Sequence, residues 1–206
     1  MDATRLVSLT LDNLDDLPHP CRACVFWELD PVAGARAVDP ADRQLEKEAW
    51  VSATLLQWGS CGTLLYHDQD PVGYVLYAPP AFVPRSSGFP TSPIGADAVQ
   101  LVTARVHPQV RGQGFGRTLV QAAARDLRRR GYRAVEAFGD ARAEHPSCLV
   151  AAEFLLRVGF KTIRPHHYWP RLRLDLRAAG VLSDEVEAAL DQLLELLSPE
   201  PAVRPA

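Results

Sequence analysis

At 206 residues, with 47% apolar and 23% charged side chains, the chain has the composition of a soluble globular protein and the length for one well-cored domain. A net charge of −3 offers no basic surface for nucleic acid or for an anionic membrane, so neither is expected as a partner. No run approaches the roughly 18 consecutive apolar residues of a spanning helix. The N-terminus lacks a signal-peptide pattern, and four cysteines without a secretory signal read as reduced thiols, so a cytoplasmic location is expected.

Taken in order, Arg5–Thr10 reads as a first strand, and Asp12–Leu17 carries the Asp and Asn of a turn or helix start. Pro18–Glu28 follows, with Cys21-x-x-Cys24 and the aromatic pair Phe26-Trp27; Pro31–Asp39 reads as loop. Pro40 opens a helix to Trp58, with Leu45, Ala49, Ala53 and Leu56 on one face and Gly59 ending it. Thr63–Tyr66 and Val72–Tyr77 read as strands joined by a hairpin turn at Asp68–Asp70. Pro79–Gly95 holds five prolines and can be neither a central strand nor a helix, so it reads as a long loop within the domain.

Ala98–Val106 is a β-branched and apolar strand, closed by Pro108. Thr118–Arg130 is a helix with Leu119, Ala123 and Leu127 on one face. Tyr132–Phe138 reads as a strand, Cys148–Val158 as a helix capped by Gly159, and Phe160 opens a short strand. Arg171–Leu176 alternates, so one face is buried and the other solvated. Residues 1–180 form the expected domain. In 181–199 an amphipathic helix, Ser183–Leu197, is expected to pack on that domain or on a second copy in a homodimer, and 200–206 is a flexible tail.

Between the strand and the helix lies Gln109–Arg117, a glycine-rich turn. Glycines let the backbone approach a ligand closely, and the free N–H groups and dipole of the helix start favour an anion, most often a phosphate. Arg111 and Arg117 add charge. A Walker loop needs Gly-Lys-Ser/Thr, whereas Gly116 is followed by Arg117-Thr118; the dinucleotide fingerprint needs G-x-G-x-x-G, whereas Gly112, Gly114 and Gly116 are spaced by two. What remains, Arg111-x-x-Gly114-x-Gly116 after Val106-His107-Pro108, resembles the pyrophosphate loop of the GNAT N-acetyltransferase superfamily. The element order over residues 5–177 and the Gly159-Phe160 pair resemble that superfamily too.

The resemblance implies an α/β (α+β) GNAT-like fold. Its central sheet is mixed and mostly antiparallel, with about six to seven strands flanked by helices. It implies acetyl-CoA as co-substrate and an amine, of a small molecule or a protein, as acceptor. It assigns the backbone of Ala104, Arg105 and Val106 to the pantetheine arm. The pyrophosphate falls to Arg111, Gly112, Gln113, Gly114, Phe115 and Gly116, with Arg117 beside them. The alternative is a non-catalytic acyl-CoA-binding module that senses the cofactor or works through a partner.

Acetyl transfer to an amine needs a base for the ammonium proton and an acid for the leaving thiolate. Glu136 and Glu28 are the candidate bases, with solvated strand residue as the plain alternative for Glu136; His107 sits at the strand end. The superfamily's usual tyrosine acid falls on Leu155, and its frequent asparagine on Cys148; Cys148, Tyr168 and His167 are substitute acids. Cys21-x-x-Cys24 lacks the second pair of a zinc site and the strand-to-helix context of a thioredoxin motif. The pair is expected to pack beside Phe26 and Trp27 or to line the acceptor pocket, and no metal is expected.

Overall fold

The computed structural model describes residues 4–142 and 148–176. Its strands are β1 (Thr4–Ser8), β2 (Gly62–His67), β3 (Asp70–Ala78), β4 (Ala98–Val106), β5 (Ala134–Asp140), β6 (Val150–Ala151), β7 (Lys161–Arg164) and β8 (Arg171–Asp175). The helices are α1 (His19–Arg22), α2 (Pro31–Arg36), α3 (Pro40–Trp58), α4 (Phe115–Arg129) and α5 (Ala152–Arg157). The strands form one open mixed sheet in the order β1-β2-β3-β4-β5-β8-β7, with β6 pairing on β5. All neighbours are antiparallel except β4/β5 and β5/β6, so the sheet is mostly antiparallel, as expected, with the two-residue β6 as an eighth strand.

Alternation along the strands sends side chains into two cores. On one face Tyr74 and Leu76 of β3 and Phe138 of β5 pack with Trp50 and Val51 of α3 and with Leu9 and Trp27 of the N-terminal segment. On the other, Val75 and Tyr77 meet Leu119, Ala123 and Leu127 of α4 and Leu155 of α5. β3 is buried from Val72 through Ala78 because both faces are covered.

Two irregularities shape the middle of the sheet. β4 and β5 pair in parallel only at Ala98–Gln100, opposite Ala134–Glu136; beyond that β5 turns to β6 at Gly139 and Asp140. The second half of β4 therefore has β3 on one side and a strand gap on the other. In addition, Leu76 opposes Thr103 while Tyr77 opposes Leu101, so Val102 is an extra residue on β4. Such a bulge re-aims the residues that follow it.

Three expectations are corrected. The buried face of α3 carries Lys47, Trp50, Val51 and Thr54, whereas Leu45 and Leu56 are 66% and 85% exposed. Apolar periodicity picked the wrong face because the buried one includes a lysine and a threonine. Residues 31–36, read as loop, are α2: the Asp30 carboxylate accepts from the Val32 and Ala33 amides at 2.7 and 3.0 Å, and Pro31 suits the first position. The helix expected from Cys148 begins only at Ala152, since Val150 and Ala151 first extend to pair with β5. The Ser183–Leu197 helix lies outside the described residues.

Candidate functional site

The glycine turn follows directly from β4. His107 is tied back by its amide to the Val72 carbonyl at 2.7 Å, and Pro108–Val110 makes one 3-10 turn. Gly112 and Gly114 then take φ of 84° and 89°, the left-handed region where a side chain would be strained. Gly114 caps α4, which starts at Phe115, three residues earlier than the sequence suggested. Phe115, Gly116 and Arg117 thus form the first helical turn, where amides have no partner within the helix and point outward along its axis. A Cβ on Gly116 would lie 2.9 Å from the Phe154 ring, so this position is fixed by close packing as well as by the turn. Arg111 and Gln113 are exposed, and Arg117 donates to the Arg157 carbonyl at the end of α5 at 3.1 Å.

The other half of the site opens beside β4. Ala104, Arg105 and Val106 are half-buried on its free stretch, past the point where β5 leaves. Thr103 and Arg105 line a cleft of about 20 Å³, room for one water-sized group, with Tyr74 and Leu76 of β3. Cys21, Cys24, Trp27 and Glu28 close it from the N-terminal segment, Lys47 from α3, and Cys148 from the stretch before β6.

The cleft holds two polar pairs. Lys47, 3% exposed, donates to the Glu28 carboxylate, whose other oxygen accepts from the Trp27 amide at 3.1 Å. The second pair is the thiols of Cys24 and Cys148, with sulfurs 3.2 Å apart. Trp27 links the two pairs: its indole N–H donates to the Cys148 carbonyl at 3.0 Å while its ring stacks on Phe89. The Cys148 thiol hydrogen bond pulls the Cys24 thiol down to about 6 against the upward push of burial, and the Phe26 amide helps. Cys148 is pushed up, first by that same hydrogen bond and then by burial. Burial also pushes the Tyr74 hydroxyl well up. Cys61, enclosed elsewhere in the core, is pushed up to about 12 by burial and has no part in the cleft.

The two carboxylates named from the sequence have different places. Glu28 lines the cleft. Glu136, on β5, is 1% exposed, not solvated, and accepts from Arg171 at 2.7 Å, Arg173 at 3.0 Å and the Gly95 amide at 3.1 Å. A Cβ on Gly95 would lie 2.8 Å from its carboxylate, so only glycine lets that loop close over it. With both oxygens engaged, Glu136 fastens β5 to β8 and to the proline-rich loop. Of the substitute acids, Cys148 lines the cleft, while Tyr168 is 45% exposed on the β7–β8 connection beside His167. Leu155 is fully buried against the α4 core.

Lys47, Tyr74 and Thr103 escaped the sequence reading. Lys47 alone left a signal: a lysine three and four residues before Trp50 and Val51, on their face of the helix. Cys24 and Cys148 are 124 residues apart, and no spacing rule pairs them. Among the described residues, no group of three or more His, Cys, Asp or Glu is placed to hold a metal, and no helix is long and apolar enough to cross a membrane.

The model of the acetyltransferase (GNAT) family matches residues 25–160. No curated protein sequence matches the chain. Among solved structures, the chain is similar to the PaiA N-acetyltransferase of Thermoplasma acidophilum in complex with coenzyme A, at 12% identity and a TM-score of 0.57, covering 84% of this chain and 99% of that one. It is similar to an N-acetyltransferase of Staphylococcus aureus Mu50 at 17% identity and a TM-score of 0.54, with 84% and 99% covered. It is similar also to YncA, a putative acetyltransferase of Salmonella typhimurium with its cofactor acetyl-CoA, at 16% identity and a TM-score of 0.53, with 84% and 94% covered. At these identities the likeness is one of fold: an open mixed sheet flanked by helices.

Proposed function

The chain belongs to the acetyltransferase (GNAT) family, and from that premise we propose that it binds acetyl-CoA and transfers the acetyl group to an amine of a small molecule or a protein. The observation that carries this reading is the parting of β4 from β5 immediately before a glycine turn that opens α4. The strand gap offers backbone N–H and C=O groups of Ala104, Arg105 and Val106 to the pantetheine amides. The turn from Arg111 through Gly116, with Arg117 beside it, offers amides and charge to the pyrophosphate. That two structures of the same fold hold coenzyme A or acetyl-CoA supports the assignment.

In this reading the thioester lies at the cleft, where Thr103 and Arg105 of β4 meet Glu28 and the thiols. Glu28, not Glu136, is the carboxylate within reach of an acceptor amine. No tyrosine stands where the family resemblance places the acid, and Leu155 there is sealed in the core. Loss of general acid catalysis costs about 10²–10⁴-fold, but a thiolate is a good leaving group, so slow transfer is expected. The buried Leu155 also favours a second reading, a binding module without turnover. Calorimetric titration with CoA, followed by CoA release across a broad amine panel, separates them. Binding with release supports transfer, and binding without release supports the module. No binding overturns both.

A further inference from the structure

Helix α3 carries apolar residues on two faces, and the described fold covers one of them. Lys47, Trp50, Val51 and Thr54 are buried. On the far side Leu45, Ala49, Ala53 and Leu56 recur at i, i+4, i+8 and i+11, and Leu45 and Leu56 are 66% and 85% exposed. Glu46, Glu48 and Gln57 flank that stripe. A long helix with a second apolar stripe between polar flanks has a second surface to bury. We propose that this face is the docking site of the chain's own C-terminal segment, Ser183–Leu197, laid antiparallel along α3.

The first argument for that occupant is spacing. Val186, Leu190, Leu194 and Leu197 also recur at i, i+4, i+8 and i+11, so as helices the two stripes match in length, each about 16 Å. The same spacing leaves Asp191 and Glu195 on the side away from α3, toward water.

The second is where the chain leaves the sheet. β8 ends at Asp175, and the Leu176 amide donates to the Arg133 carbonyl at 3.0 Å. Next to Arg133, the Tyr132 hydroxyl accepts from the indole of Trp58, the last residue of α3, at 2.6 Å. Arg130 donates to the Trp58 carbonyl and lies over its ring at 3.8 Å. The exit is therefore beside the C-terminal turn of α3. Residues 177–182 reach about 20 Å when extended, enough to bring Val186 to Leu56 and, at the far end, Leu197 to Leu45.

The third is charge. Asp184, Glu185 and Glu187 open the segment, and at the exit it passes Arg129 and Arg133, both exposed. Docked in this way, the segment holds α3 between itself and the sheet. It braces the helix that carries Lys47 into the cleft, whatever the cleft binds.

Hydrogen exchange on the full chain, with light scattering for mass, tests this. The chain should be a monomer in which the amides of 183–197 exchange about tenfold or more slower than in an unstructured peptide. Leu45→Glu with Leu56→Glu, at exposed positions, should remove that protection and leave the sheet protected. Leu190→Glu with Leu194→Glu, on the segment itself, should do the same. Each pair should lower Tm by about 3–6 °C, and all four together should lower it no further, because both pairs break one contact. Absence of slow exchange in 183–197 would overturn the docking. So would protection that survives Leu45→Glu with Leu56→Glu, or Tm losses that add. Protection that appears only as the chain dimerises would overturn it too and give the face to a second copy.

Discussion

The glycine turn and the thiol cleft both adjoin β4, yet they are held together in opposite ways. The turn is made by consecutive residues: Gly112 and Gly114 supply left-handed backbone, and α4 supplies amides by geometry alone. It is exposed and carries no buried charge. The cleft draws on the N-terminal segment, α3, β3, β4 and the stretch before β6, and its polar pairs are enclosed among Trp27, Leu76 and Tyr74. An exposed local turn can lose its ligand without losing its fold. A cleft with an enclosed ion pair ties function to stability, because each charge is tolerated only while its partner is present.

The sharpest way to break that contrast is Lys47→Ala. It leaves the buried Glu28 carboxylate without its cation, and removing one partner of a buried pair costs about 3–5 kcal/mol. Urea unfolding should show that loss. The double substitution Lys47→Met with Glu28→Gln, which removes both charges and keeps volume, should recover most of it. If the single variant is as stable as the wild type, the pair does not carry the cleft.

Gly116→Glu makes the complementary break at the turn. The new side chain meets Phe154 and sets a carboxylate at the first turn of α4, where the phosphates are proposed to lie. CoA affinity should fall by about 100-fold or more, roughly 3 kcal/mol, with circular dichroism still reporting a folded chain. Unchanged affinity by calorimetry would move the cofactor site elsewhere.

Smaller in size is the effect of Cys148→Ala on the alkylation of Cys24 by iodoacetamide. Because the Cys24 value is lowered to about 6, its thiolate persists above that pH and is lost as pH falls through it. The wild-type rate should therefore rise through about pH 6 and level off by about pH 8. Removing Cys148 deletes the largest downward influence and leaves burial pushing up. The midpoint should move upward, and the rate at pH 7 should drop by about tenfold. An unaltered profile would show that some other group ionises Cys24.

What the sequence alone determined was whatever short-range rules govern. The strand before Pro108, the glycine-rich turn after it and the Leu119–Ala123–Leu127 face of α4 follow from residues within a few turns of one another, and the structure has each where periodicity and turn chemistry put it. The mixed sheet was implied by the resemblance of the element order to the GNAT superfamily and by no short-range rule. α3 shows where that reasoning stops. Its buried face includes Lys47, which is stable inside only because Glu28 arrives from another segment, so apolar periodicity chose the exposed Leu45 and Leu56 instead. Glu136, legible only as a carboxylate on a strand, became a buried junction because β8 lays Arg171 and Arg173 against it and Gly95 closes over it. The meeting of Cys24 with Cys148 needed the whole sheet between them. A buried ionisable group takes its character from its neighbours, and those neighbours are chosen by tertiary contact rather than by sequence spacing.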